Sequence, residues 1–497
     1  MKTNFIILLT LLISIFVQAQ ITPDFEPCIS SGGSSGLNNL RLLVAKSSDG
    51  INWTRTNLVL SDRASVADGL LLNSGRILVY YVAGCIEINN TEQPANHIKV
   101  AFSDDNGRSW NYKNVTFNNL PSGGTLPVDP NVVLLDNGDI HMLVTIDPDQ
   151  TGPQKPCTYA AISTDGGFTF TLSNSSVFSI SGTDVLDPEN FRFGPNNWRL
   201  WAGGIPGRNV TGISTNEAIS FNSEGEYCST QNQNNPSECY IVADVIKYEE
   251  STYKMYTFGT SPSGQIIRSL TSTDGEIWNL DPEIILSVQP STGIENLDVW
   301  APTVIKINQN YFLMIYETQI PYSAVSEFSY INILQNDTTL SVNENLNLTA
   351  RSYYSDNTIR DITFFGTWQS SNPEVAEIDQ FGKLTAHTPG NTEITINYKN
   401  STSNPVIITV NDENNFISSN ITSLNVYPNP VNNFIVFENI SKSEQINFKI
   451  VNITGQTIYN GNCTTKTIID ASKFNQGMYI IVPENPFVCK SIKIIKE

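Results

Sequence analysis

Histidine is scarce in this chain. Three occur in 497 residues, His97, His141 and His387, far apart, which argues against a zinc centre built on clustered His and Cys. Basic residues are also few, 28 against 48 acidic ones, and the formal charge of −20 opposes binding to phosphate backbones or anionic lipid surfaces. No nucleic-acid partner is expected. Long hydrophobic runs are missing too, apart from Phe5 to Val17 near the start. That run is short for a membrane span and is followed by Val17 and Ala19 at the spacing a signal peptidase expects, so residues 1–20 read as a signal peptide. Nothing downstream reaches the ~18 apolar residues of a transmembrane helix, so no integral membrane span is expected. Cys28 lies too far beyond the cleavage point to suggest a lipid-anchored form.

What remains is a chain with 15% charged and 10% aromatic residues and many turn formers, a composition suited to short strands joined by tight turns. The expected fold class is all-β, and the length allows two to four domains at ~100–200 residues each. Seven cysteines in an exported chain permit disulfides. Cys228 with Cys239 would close a local loop, and Cys463 with Cys489 would staple the C-terminal part; Cys85 and Cys157 are equally compatible with buried thiols.

Two repeats organise the first part of the chain. The first comprises Ser47-Ser48-Asp49-Gly50-Ile51-Asn52-Trp53, Ser103-Asp104-Asp105-Asn106-Gly107-Arg108-Ser109-Trp110, Ser163-Thr164-Asp165-Gly166-Gly167-Phe168-Thr169-Phe170 and Ser272-Thr273-Asp274-Gly275-Glu276-Ile277-Trp278. A degenerate fifth copy is placed at Ser220 to Tyr227. Ser and Asp oxygens accept backbone N–H bonds in such a turn, Gly takes the positive-φ position, and the aromatic ring packs beneath. These strings resemble the Asp-box of sialidases and related propellers, where the box is a structural staple away from the active site.

The second repeat is a small or acidic strand start followed by two apolar strands: Val66-Ala67-Asp68, Asp129-Pro130-Asn131, Asp187-Pro188-Glu189, Val242-Ala243-Asp244 and Ala301-Pro302-Thr303. Five copies predict a five-bladed β-propeller over about residues 25–325. Two small β-sandwich domains should come after it. Residues 330–411 resemble a group 2 bacterial immunoglobulin-like domain through Trp368-Gln369-Ser370-Ser371-Asn372-Pro373 and Gly382-Lys383-Leu384-Thr385-Ala386, a spacer, adhesion or glycan-binding module. Residues 423–497 resemble the type A sorting domain of type IX secretion cargo through Val426-Tyr427-Pro428-Asn429-Pro430, Thr454-Gly455-Gln456 and the Lys490 to Lys496 end. That resemblance implies the type IX secretion machinery as a partner and passage through the outer membrane. Few apolar residues mark the module boundaries, so proteolysis should separate the propeller from the two C-terminal modules.

Inner strands of a propeller start around one central cavity, so Asp68, Asp129, Asp187, Glu189, Asp244 and Asp298 should converge on one face. Such crowding is costly unless the acids are protonated, hydrogen-bonded or bound to a cation. No cofactor is implied beyond a Ca²⁺ ion that an acidic centre would admit. One acid donating a proton to a leaving oxygen while another activates water or attacks the sugar is what glycoside hydrolysis needs. The arrangement resembles the five-bladed glycoside hydrolases of family 43 and its relatives. The resemblance implies Asp68 as general base, Asp187 as the carboxylate tuning the acid, and Glu189 as general acid. Trp300, with Trp198 and Trp201, would offer stacking faces, the last two more naturally core. Arg63 and Arg192 suit a substrate carboxylate or sulfate. Three functions stay open: a secreted glycoside hydrolase acting on an extracellular polysaccharide or oligosaccharide, an exo-sialidase, and a non-catalytic glycan-binding or adhesion protein. His141 lies within a strand, which disfavours it as the base of a lyase.

Overall fold

The computed structural model describes residues 37–496 apart from 89–90, 151, 206–207, 230–238, 262–263, 290–293, 296, 320–325, 413–423, 440–444, 454 and 484–491. The signal peptide, Cys28, Cys489 and the Cys85 side chain lie outside the described residues. Among the described residues, apart from one 3-10 turn at Leu37–Asn39, every regular element is a strand. Among the described residues no helix is long and apolar enough to cross a membrane.

Five antiparallel blades form the first part, with inner strands Ala64–Leu71, Val128–Leu134, Leu186–Gly194, Ile241–Glu249 and Trp300–Asn308. These five pack against one another in a closed ring. The second strand of each blade lies in its middle and is covered on both faces by neighbouring blades. Ile140–Ile146 is accordingly buried at every position with no alternation, its polar His141 and Thr145 included.

The ring closes by exchange between chain ends. Blade five takes its two inner strands, Trp300–Asn308 and Tyr311–Gln319, from the end of the propeller and its two outer strands, Leu40–Ser47 and Trp53–Asp62, from the beginning. The joining pair is antiparallel, with Leu43 opposite Tyr316.

Every Asp-box occupies the hairpin between the third and fourth strands of its blade. Antiparallel order puts these hairpins at the end of the propeller opposite the inner-strand starts. In the blade-one box, Ser103 Oγ accepts from Gly107 N at 2.9 Å and Asp105 Oδ1 from Ser109 N at 2.8 Å. The fifth copy sits at Ser214–Phe221 and not at Ser220–Tyr227, which belongs largely to the next strand, Asn222–Tyr227. There Ser214 Oγ accepts from Ala218 N at 3.1 Å and Asn216 Oδ1 from Ser220 N at 3.2 Å. Asn replaces Asp as acceptor, and Ala218 adopts the φ of 59° that glycine takes elsewhere, so the turn survives while its sequence signature does not.

The immunoglobulin-like module is fused to this ring. Strand Trp53–Asp62, the outer edge of blade five, pairs in parallel with Ile359–Asp361, and the sheet runs on through Ala350–Tyr354 to Phe328–Ile333. Asp62 lies buried between two arginines at this junction, bonded to Arg41 Nε and, at 2.9 Å, to Arg360 Nη2. A second contact reaches blade one, where Asp361 accepts from Trp110 N at 2.6 Å and the Arg351 guanidinium donates to the Arg108 carbonyl. The module therefore grips both blades beside the closure. Its own core packs Leu340, Trp368, Ile394, Ile396 and Ile408. The two modules share a sheet edge and buried charges, which is a different arrangement from independent bodies joined by a linker.

The last module is a sandwich of a three-stranded and a four-stranded sheet around Ile435, Phe437, Phe448, Ile450 and Ile481. Cys228 and Cys239 form the expected disulfide. The expected Cys463–Cys489 staple is not formed, because Cys463 is a free thiol in the sandwich core, its Sγ 3.5 Å from the Phe437 carbonyl. Cys157 is also a buried free thiol.

Candidate functional site

Each inner strand begins with a β-bulge, falling between Ser65 and Asp68, Val128 and Asn131, Leu186 and Glu189, Val242 and Asp244, and Trp300 and Thr303. In four of the five the bulge carries a non-glycine residue at positive φ: Val66 at 45°, Asp129 at 52°, Asp187 at 47° and Ala301 at 36°. A β-branched or bulky residue there costs about 1–3 kcal/mol and persists only where its surroundings over-determine it. In these four the bulge splits the strand start into two levels, the positive-φ residue at the rim and the residue just after the bulge at the axis, and in all five it is the residue just after the bulge that points at the axis.

The axial level is a closed belt of hydrogen bonds. Asp68 accepts from Val132 N at 2.6 Å, Asn131 from Asn190 N at 2.9 Å, Glu189 from Val245 N at 3.1 Å, Asp244 from Val304 N, and Thr303 Oγ1 from Gly69 N at 3.1 Å. Each side chain thus binds the backbone of the next blade around the ring. Asn131 turns its amide group inward, donating to Asp68 at 3.0 Å and to Glu189 at 2.5 Å. Asp68, Glu189 and Asp244 are buried, with one oxygen of each within 4.8 Å of the others. Burial, then the charges of Asp68 and Asp244, push Glu189 well above the usual carboxylate range. Asp244 is raised in the same sense by burial and Asp68, and burial pushes Asp68 up to about 6 against four hydrogen bonds. Three such acids cannot all be ionised here without a compensating proton or cation.

Above the belt opens a funnel of about 330 Å³, with Asp187, Trp300 and Glu317 in its wall beside Ser65, Val66 and Pro188. Asp129, the rim residue of blade two, adjoins Asp187 closely enough for Asp187 N to reach its Oδ2 at 3.4 Å. Burial, then the Asp129 and Glu317 charges, raise Asp187 well above the usual range, although the funnel leaves its side chain open to solvent. Asp129 is raised by burial, with the Asp187 N–H among the groups holding it down. Glu317 accepts from Val66 N at 3.2 Å and is pushed up to about 7, chiefly by burial. Below the belt a second cavity of about 400 Å³ opens toward the opposite face.

The acids named from the sequence therefore separate into two sets. Asp68 and Glu189 occupy equivalent positions and line one cavity, but as belt members between the funnel and the lower space. Asp244 belongs to the belt and borders the lower cavity. Asp129, Asp187 and Trp300 stand at the rim. Asp298 is half-buried near Glu317, whose proton affinity it raises. Arg192 lines the lower cavity, paired with Asp136 at 2.9 Å and Glu217 at 3.2 Å, on the wrong side of the belt to meet a ligand in the funnel. Arg63 is buried at the start of blade one and is not part of the funnel wall; among the described residues its Nη1 and Nη2 have no hydrogen-bond partner. Trp198 and Trp201 are core residues, and His141 is buried against Trp198, its pKa lowered to about 4 by burial.

Glu317 was not legible as a funnel residue. It sits near the end of a second strand, in Tyr311–Gln319, and reaches the rim only because that strand runs back toward the inner-strand starts. The available signal was the antiparallel order itself, which returns the end of every second strand to the same face.

Two C-terminal segments match known family models. Residues 425–497 match the secretion system C-terminal sorting domain, and residues 327–410 match the bacterial Ig-like domain (group 2). The chain is thus type IX cargo, exported through the outer membrane to the cell surface or beyond. No curated protein matches its sequence. Solved structures similar to it include a protein of unknown function from Dyadobacter fermentans, 14% identical with a TM-score of 0.39 over 55% of this chain and 83% of that one. A thermostable family-43 glycoside hydrolase is 12% identical with a TM-score of 0.37 over 68% of this chain and 92% of that one. The catalytic domain of a GH62 α-L-arabinofuranosidase from Coprinopsis cinerea is 12% identical, with a TM-score of 0.37 over 56% of this chain and 97% of that one. Likenesses this distant transfer no substrate and no catalytic residue.

Proposed function

We propose that the funnel is the active site of a secreted glycoside hydrolase that cleaves O-glycosidic bonds of an extracellular polysaccharide or oligosaccharide. The observation that carries this reading is the rim pair, Asp129 and Asp187, held on adjacent strained bulges, with Asp187 in the wall of the funnel and its proton affinity driven upward by burial and then by the charge of the neighbouring Asp129. Two carboxylates in one site whose surroundings favour one proton between them are what acid/base glycoside cleavage uses. In this reading Asp187, the more strongly raised, donates its proton to the leaving glycosidic oxygen. Asp129 works as the carboxylate, activating water or attacking the anomeric carbon. Glu317 keeps negative charge close to Asp187 and so holds its proton. Trp300 supplies a ring face beside them. Asp68 and Glu189, by contrast, spend their oxygens on belt hydrogen bonds and hold the blades in register.

The belt also fits a hard cation. Three carboxylate oxygens converge there, and the Asn190 amide, buried at the lower cavity, has both polar atoms without a partner among the described residues. Ca²⁺ held by Asp68, Glu189 and Asp244 would offset their charge; it supplies no step of the hydrolysis.

The test is incubation of the mature chain with a polysaccharide panel, reading released reducing ends. At least one member should be cleaved, and Asp187→Asn and Asp129→Asn should each lower turnover by about 10²-fold or more with folding preserved. Full turnover in both variants would remove the rim pair from the mechanism. If nothing is cleaved but the chain is retarded in an affinity gel, the protein is a glycan binder.

A further inference from the structure

A cleft of about 560 Å³ lies where the immunoglobulin-like module meets blade one, away from the funnel and beside the Ser103–Trp110 box. Its volume falls within the ~300–1,000 Å³ of small-ligand sites, which favour junctions between modules. Phe102, Asn111 and Lys113 come from the propeller, and Phe364, Gln380 and Phe381 from the module. Phe381 is 46% exposed at the tip of a tight turn. The turn is stiff, because Asp379 Oδ1 accepts from Phe381 N at 2.8 Å and from Lys383 N at 2.9 Å, while Gly382 takes a φ of 77°. An exposed ring held in place has already lost the freedom that ligand binding would cost it. Phe364 meets it at 6.2 Å between centroids and a tilt of 56°, so the two rings present an angled wall. Lys113 is fixed over the Phe168 ring at 4.2 Å. Amide side chains stand on both walls, Asn111 on one and Gln380 on the other, and among the described residues no carboxylate lines the cleft although acids outnumber bases in the chain 48 to 28.

We propose that this cleft is a second carbohydrate-binding site, taking a short oligosaccharide segment whose apolar ring faces stack on Phe381 and Phe364 and whose hydroxyls meet Asn111 and Gln380. Sugar rings carry that combination, flat C–H faces edged by hydroxyls, and an aromatic wall with convergent amides matches it. Because the two walls are joined through a continuous sheet and the buried Asp62 and Asp361 contacts, the cleft is formed before any ligand arrives. The site is independent of the funnel's chemistry, and on a polymer it would hold one stretch of chain while the other face of the propeller engages another.

The experiment is native affinity electrophoresis of the mature chain carrying Asp187→Asn, through gels containing xylan, arabinan, dextran or polygalacturonate. At least one polymer should retard it. Adding Phe381→Ala or Gln380→Ala should weaken that association at least about tenfold with no change in melting temperature, and Phe381→Trp should restore it. Hydrolysis of small soluble substrates by otherwise wild-type chain should be unaffected by these changes, which separates failure of this site from failure of the funnel reading. Retardation by none of the polymers, or undiminished retardation of Phe381→Ala, overturns the proposal. It is equally overturned if Phe381→Ala alters only the sedimentation coefficient, since the cleft would then join copies of this chain.

Discussion

Replacing Asp62 by asparagine tests whether the immunoglobulin-like module is part of the propeller's stability. Asp62 compensates two guanidiniums at once, Arg41 and Arg360, which are only 5% and 3% exposed, and it sits where the first and last strands of the ring meet the module. Asparagine keeps the shape and one acceptor but removes the charge the two cations share, leaving Arg41 with Asp356 at 3.5 Å as its remaining carboxylate. Breaking a buried pair from one side costs about 3–5 kcal/mol, and the retained acceptor returns roughly 1 kcal/mol, for a net loss of about 2–4 kcal/mol. Urea unfolding of the mature chain, followed by tryptophan fluorescence, should show this as a lower midpoint, with blade five and the module losing structure in one transition. The acid limb gives an independent sign. Burial opposes the Asp62 charge, but Arg41 and Arg360 outweigh it and hold the carboxyl below its usual range. Its stabilisation is therefore complete above the unfolded-state range and is lost only as pH falls toward the depressed value; the variant should lack that limb. An unfolding free energy within about 0.5 kcal/mol of wild type would contradict this role for Asp62, as would a nick at residues 320–325 that frees a propeller of unaltered stability.

Glu317 predicts the opposite pH sign. With its folded value raised to about 7, mainly by burial, its contribution is fully present below the unfolded glutamate range and is lost as pH rises toward 7; Glu317→Gln should flatten that decline, worth about 3 kcal/mol, in melts from pH 4 to 8. Ca²⁺ at a hundredfold excess over its dissociation constant should stabilise the propeller by about 2.7 kcal/mol and EDTA should reverse it, whereas an unchanged melt would leave protons as the belt's compensation. Asp68→Asn and Glu189→Gln should lower the unfolding free energy by about 1–3 kcal/mol each, because each disturbs a belt hydrogen bond; variants as stable as wild type would show that the belt does not hold the blades together. Deleting residues from Ser423 onward should leave any hydrolytic activity intact while stopping export, and normal secretion of the truncated chain would contradict the role of the matched sorting domain.

Periodic features were legible without coordinates. The four Asp-boxes were legible because each rests on local chemistry, a side-chain oxygen on a turn N–H and a glycine at positive φ, that identical residues reproduce wherever they occur, and the five strand starts were legible as a repeat. The sorting tail and the immunoglobulin-like module were legible for the same reason. The fifth box was misplaced because Asn216 and Ala218 keep the turn without keeping the residues. Three things waited for the tertiary structure. The bulge decided which acids face the axis and which the rim, since one inserted residue reverses the face of everything after it. The returning second strand decided that Glu317 joins the rim. The parallel pairing of Ile359–Asp361 with the edge of blade five decided that the modules share a sheet, because an edge strand's free N–H and C=O groups accept a neighbour irrespective of side-chain identity. Local hydrogen bonding is written in short strings of residues, whereas register, strand direction and edge pairing depend on where distant segments of the backbone come to lie.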